Sequence, residues 1–132
     1  MNWDDLEYFG EHEFACKCGC NNAPMDFKFL TVLDHIRSEY GKPMQISSGF
    51  RCKNHRAEAR KAKPGTGAHS TGKACDILTY GADAFELLDI VMDHMEITGI
   101  GVKQHGPFDS KFLHIDVVEP GGALLRPYVW SY

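Results

Sequence analysis

The sequence predicts an α+β fold, with helices packed on one side of a small antiparallel sheet. Three observations carry that expectation. Two segments repeat apolar residues at spacings of three and four, as amphipathic helices do. Several short segments rich in Val, Ile and Leu lie between Gly and Pro punctuation, as short strands do. Helices and strands do not alternate as regular βαβ units, which argues against a parallel α/β sheet. A length of 132 residues fits a single domain over residues 1–132, built on one core.

The elements follow in order. Residues up to about Ala23 show weak periodicity and read as an irregular arm around a cysteine cluster. Residues 24–40 form the first helix, with Phe27, Leu30, Leu33, Ile36 and Tyr40 as its apolar stripe and Gly41 and Pro43 ending it. Residues 44–47 read as a strand, and 54–62 as a shorter helix whose basic run is a solvated face. Pro64 and Gly65 stop that helix. Residues 74–78 read as a strand, and 83–95 as a helix with Phe85, Leu88, Met92 and Met95 facing the core. Strands are expected at 99–103 and 112–118, and an edge strand within 124–130.

Composition excludes some functions. The net charge of −4 argues against nucleic acid, whose binding needs a basic face. No apolar run is long enough to span a bilayer. The chain opens on acidic and polar residues with no apolar segment after them, so the expectation is synthesis in the cytoplasm without a signal peptide. A monomer is the expected state. The five cysteines, Cys16, Cys18, Cys20, Cys52 and Cys75, then read as thiols or metal ligands more readily than as disulfides.

The chemistry gathers at two places. In residues 112–118, Leu113, Ile115 and Val117 alternate with Phe112, His114 and Asp116. If the aliphatic face packs on the helices, His114 and Asp116 point to the opposite side, which suits a cleft. Upstream, small residues surround His69 and Asp76, and Gly72 and Ala74 permit a tight bend that lets the two meet. His69, Asp76 and His114 together offer two imidazoles and a carboxylate. Zinc accepts such N and O donors in a tetrahedron, and three protein ligands leave the fourth position to water. A zinc ion so held acidifies water and polarises a scissile carbonyl.

These segments also carry a resemblance. His69, Gly72, Ala74 and Asp76 form an H-x-x-G-x-A-x-D pattern similar to that of the D-Ala-D-Ala carboxypeptidase-type zinc metallopeptidases, and Phe112, His114 and Asp116 resemble their later F-x-H-x-D strand. Ser48, Gly49, Phe50, Arg51, Cys52 and His55 resemble the segment preceding the first motif. Residues 13–20, with Cys16, Cys18 and Cys20, resemble the N-terminal element of the phage and bacterial branch, and Arg126 and Trp130 its usual ending. The resemblance implies a hedgehog/DD-peptidase-like fold and one Zn2+ on His69, Asp76 and His114. It implies hydrolysis of a peptide bond near a D-amino acid in peptidoglycan stem peptides. It also implies that Arg51, with Ser48 beside it, meets the substrate or the developing oxyanion, a role that suits a permanently charged guanidinium. Without a signal peptide, such an enzyme fits a phage lysin released to the wall through a holin, or a virion component.

The chain departs from the pattern in two places. Gly67 stands where relatives usually have Ser. Relatives often place a carboxylate three residues before the last zinc histidine, or a histidine two before it; here those positions hold Lys111 and Phe112. Asp109 and His105 are the candidate bases by proximity in sequence, and Asp116 is a candidate either as a base or as the partner that orients a ligand histidine. The alternative is a zinc-containing wall-binding module that has lost its base. Cys16, Cys18, Cys20 and Cys52 are candidates for a second, structural zinc site; buried thiols and a disulfide are the other readings, and a small zinc or redox protein built on them is a third function.

Overall fold

Asp26 starts the first helix by accepting hydrogen bonds from the backbone N–H groups of Lys28 and Phe29, and Gly41 ends it in the left-handed conformation. The computed structural model, which describes residues 2–132, runs α1 (Phe27–Tyr40), β1 (Gln45–Ser48), α2 (Arg56–Ala59), β2 (Ala74–Leu78), α3 (Gly81–Met92), β3 (Gly99–Lys103), β4 (Phe112–Asp116) and β5 (Tyr128–Ser131). Among the described residues no helix is long and apolar enough to cross a membrane.

The strands form one sheet in the order β1-β2-β4-β3-β5. The first four pair antiparallel, as expected, but β5 lies parallel to β3, so the sheet is mixed. The chain reaches β5 from the end of β4 through residues 117–127, and this crossing lets it run in the same direction as β3.

Alternation divides the sheet into two faces. Ile46, Cys75, Ile77, Ile100, Leu113 and Ile115 join Phe29, Leu30, Leu33 and Ile36 of α1 and Leu87 and Val91 of α3 in one core. The arm also belongs to this core: Phe14 is fully buried, and Asp34 of α1 accepts the N–H groups of Glu7 and Tyr8. Helix α3 corrects the expected stripe. Ala84, Leu87 and Val91 face inward, while Phe85, Met92 and Met95 are exposed. Two stripes offset by one residue compete here, and the one with small Ala84 is the one that packs inward. Helix α2 is also shorter than expected, because the chain turns back after it and Glu58 points inward.

The opposite face carries a row of aligned residues. Ser48 pairs with Asp76, Asp76 with His114, His114 with Gly101, and Gly101 with Trp130. An irregularity between Ile46 and Ser48 brings Ser48 into this row. The next row is Ala74, Asp116, Gly99 and Tyr128. The two glycines of β3 are there for space. A Cβ on Gly101 would stand 2.7 Å from the Trp130 ring, and one on Gly99 would collide with the carboxylate of Asp116.

Candidate metal centre

Two strands and a loop deliver the donors. Asp76 and His114 face each other across β2 and β4. His69 comes from a turn of 3-10 helix, Ala68–Thr71, that ends at Gly72 in the left-handed conformation. The carbonyl of Gly72 accepts the N–H of Asp26, which ties the loop to the start of α1. The loop is also locked to the Arg51 segment: the N–H of Arg51 donates to the His69 carbonyl, and the Ser70 hydroxyl donates to the Arg51 carbonyl.

His69 Nε2, Asp76 Oδ1 and His114 Nδ1 meet at mutual distances of 3.2, 3.2 and 3.0 Å. All three residues are buried. Donors about 2.0–2.1 Å from a tetrahedral zinc lie about 3.3 Å from one another, so the triangle matches one face of that tetrahedron. The hydrogen bonds behind the rings agree. His69 Nδ1 lies 2.7 Å from the Gly49 carbonyl, which can only accept, so that nitrogen carries the proton and Nε2 keeps its lone pair. His114 Nε2 lies 2.7 Å from Asp116 Oδ2 and donates to it, leaving the Nδ1 lone pair toward Asp76. Three electron-rich atoms therefore face one another, an arrangement that calls for a cation.

The titration behaviour shows the same demand. Burial alone would raise the Asp76 carboxyl, but the His114 and His69 rings, once protonated, donate to it and hold it well below the usual carboxylate range. For His114, burial disfavours the charged ring, and the carboxylates of Asp116 and Asp76 outweigh it and raise its pKa. A proton then competes for the place a metal would take, so acid weakens metal binding.

The remaining predicted residues fall into two groups. Arg51 stands beside the donors: its Nη2 reaches Asp76 Oδ2 at 3.3 Å and its Nε donates to the Ser48 hydroxyl at 2.9 Å. Asp76 thus turns one oxygen to the metal position and the other to Arg51. Ser48 supports Arg51 from behind and is not on the cavity wall. Asp116 is fully buried, and Arg126 grips both of its oxygens at 2.9 and 2.7 Å. Its place is behind His114. Asp109 lies in a turn before β4 and lines a different cavity with Tyr40 and Tyr80, and His105 is exposed in the loop after β3; neither lines the cavity of the metal centre. Cys16, Cys18, Cys20 and Cys52 form a second cluster of donors.

The donors form the floor of a cavity of about 430 Å³. Phe112, Tyr128, Trp130 and Tyr132 give it an aromatic wall, and Arg51 and Lys61 give it positive charge. Trp130 sits over Gly101 with its ring centroid 5.0 Å from that of His114, and Arg126 lies 5.1 Å above the Trp130 ring.

Sequence reasoning missed Glu58, which was placed on a solvated helix face. Its Oε1 accepts the N–H groups of Gly65 and Gly67, and its Oε2 accepts from Lys61 at 2.7 Å. The pair fills the space a side chain at position 67 would need, which accounts for Gly67. The charge run gave no local signal, because these contacts form only when the loop folds back. Burial would raise the Glu58 carboxyl, but Lys61 and the two N–H groups lower it. Its contribution is in place above the carboxyl's unfolded value and is lost as pH falls through the lowered one. Glu58→Ala should therefore cost about 1–3 kcal/mol at neutral pH, read by urea unfolding, with a smaller cost in acid. An equal cost at both pH values would contradict this.

Among curated proteins none matches the chain. The family model described as Peptidase M15 matches residues 7–116, a span that contains His69, Asp76 and His114. The members of that family are zinc-dependent peptidases, and the His-Asp-His group is one that could hold the ion. With the match covering most of its length, and the donor triangle lying inside it, the chain belongs to the peptidase M15 family.

Proposed function

We propose that the protein is a zinc-dependent peptidase of the bacterial cell wall, hydrolysing a peptide bond next to a D-amino acid in peptidoglycan stem peptides, in the manner of an endolysin. The observation that carries this reading is the convergence of three metal donors on the floor of a cavity large enough for part of a peptide. A zinc ion held by His69, Asp76 and His114 would supply Lewis acidity, polarising the scissile carbonyl and generating a nucleophile from water.

The chain's own groups do the rest. Asp116, held by Arg126, keeps His114 turned with Nδ1 toward the donors; it positions a ligand and does not touch the reacting atoms. Arg51 takes the carboxylate of a stem peptide or the oxyanion that develops at the scissile carbonyl. Lys61 adds positive charge on the same wall, and the aromatic residues cover the peptide's apolar surface. The protein acts as a monomer, released to the wall.

The test is release of new amino groups, or of free D-Ala, from purified peptidoglycan, with and without a chelator. Chelator-sensitive release restored by zinc is expected; free D-Ala marks a carboxypeptidase, and new amino groups without it mark an endopeptidase. Arg51→Ala should lower kcat/KM by about 10²–10³ while zinc content holds. Unchanged kcat/KM in that variant would remove Arg51 from the site.

A second reading, a zinc-containing wall-binding module without turnover, is favoured by one observation. Lys111 and Phe112 precede His114, and among the described residues on the cavity wall the carboxylates are Asp76 and Glu58, both already bonded. Wall binding with no chelator-sensitive release would favour it.

A further inference from the structure

We infer that Cys16, Cys18, Cys20 and Cys52 bind a second zinc ion, a structural one that clamps the N-terminal arm onto the segment carrying Arg51. The Sγ atoms of Cys16, Cys18 and Cys20 lie 3.7, 3.3 and 3.9 Å from that of Cys52, and all four lie within 4.8 Å of one another. A disulfide needs about 2.05 Å between two sulfurs and leaves the others out. Four thiolates about 2.3 Å from a tetrahedral zinc stand about 3.8 Å apart. The cluster has the second spacing, with all three arm sulfurs gathered around the fourth.

The local backbone is shaped for this. Cysteines at alternate positions of an extended strand would be about 7 Å apart, too far to share an ion. Here the arm curls instead. Gly19 and Asn21 take positive φ values of 106° and 57°, and the Cys16 N–H closes onto the Asn22 carbonyl at 2.7 Å. Backbone N–H groups point at sulfur: that of Cys52 lies 3.4 Å from Cys16 Sγ, and that of Asn22 lies 3.5 Å from Cys20 Sγ. N–H donors of this kind favour thiolate over thiol. Cys75 is buried in the core and takes no part.

Four thiolates close the coordination shell, so this ion leaves no place for a substrate. Its effect is on position. Cys52 follows Arg51 directly, and the N–H of Phe50 donates to the Phe14 carbonyl at 2.9 Å. Gly49, in the same segment, supplies the carbonyl that orients His69. Holding Cys52 to the arm therefore holds both Arg51 and the acceptor behind His69.

The experiment measures metal on the full chain, purified under reducing conditions and loaded with zinc. The wild type should carry about two zinc ions, and His114→Ala and Cys18→Ser about one each. Cys18 is exposed, so its serine variant should leave the core intact. Loading His114→Ala with cobalt should give an intense thiolate-to-metal band in the near ultraviolet, absent from Cys18→Ser. Chelator should lower the Tm of His114→Ala, whose other site is already broken. The proposal is overturned if His114→Ala binds no zinc and shows no thiolate band, or if intact-mass measurement on the reduced, zinc-loaded protein finds the cysteines paired as disulfides. Because His114→Ala isolates the cysteine site, its result is independent of whether the cavity hydrolyses peptides.

Discussion

Asp76→Ala is expected to empty the His-Asp-His centre and to abolish peptide hydrolysis. Asp76 supplies the carboxylate donor and also holds Arg51 through its other oxygen. Its removal leaves two neutral imidazoles, too few for tight zinc binding, and frees the guanidinium from its anchor. Losing several kcal/mol of Lewis-acid stabilisation corresponds to a fall of at least about 10³ in turnover. Zinc content by mass spectrometry, with a circular dichroism spectrum to verify folding, reads the first effect, and amine release from peptidoglycan reads the second. A folded Asp76→Ala protein with wild-type zinc at His69 and His114 and wild-type turnover would overturn the assignment.

The second large effect belongs to Asp116, which never reaches the cavity. Asp116→Ala removes the acceptor that fixes the His114 ring and should lower zinc affinity by about 10–100-fold. It also leaves Arg126, 6% exposed in its side chain, without its bidentate partner. Breaking one half of such a buried pair costs about 3–5 kcal/mol, which urea unfolding would show as a lowered midpoint. The pH dependence follows. Burial alone would raise the Asp116 carboxyl, but hydrogen bonds from His114 and Arg126 bring it to about 2. A carboxyl depressed from about 3.9 in the unfolded chain stabilises the fold above that value and loses its contribution as pH falls toward the native one. The wild type should therefore lose stability between those two values more steeply than Asp116→Ala. Equal acid sensitivity of the two proteins would show that the pair does not act in this way.

The parts of the molecule legible from sequence were those fixed by local alternation and by short spacing. Strand β4 shows this best, since the switch between Leu113, Ile115 and His114, Asp116 separates core from site without knowledge of the fold. His69 and Asp76 were legible because small residues between them allow a bend. What was not legible depends on contacts far along the chain. Glu58 reads as one more charge in a polar run until residues 65–67 fold onto it. The glycines of β3 read as weak strand formers, yet the room they leave is filled by Trp130 and Asp116 from other strands. The direction of β5 depends on where its crossing starts, and α3 offered two stripes whose choice is made by the sheet.

The buttress behind His114 has one more consequence. The family match ends at Asp116, but the guanidinium that keeps Asp116 ionised in the interior comes from Arg126, and Trp130 roofs the imidazole from β5. On the proposed reading, the smallest piece of this polypeptide able to grip zinc is thus longer than the stretch by which its kinship is recognised. Changes in residues 117–132 of this chain, far from the three donors in sequence, should then loosen its hold on zinc.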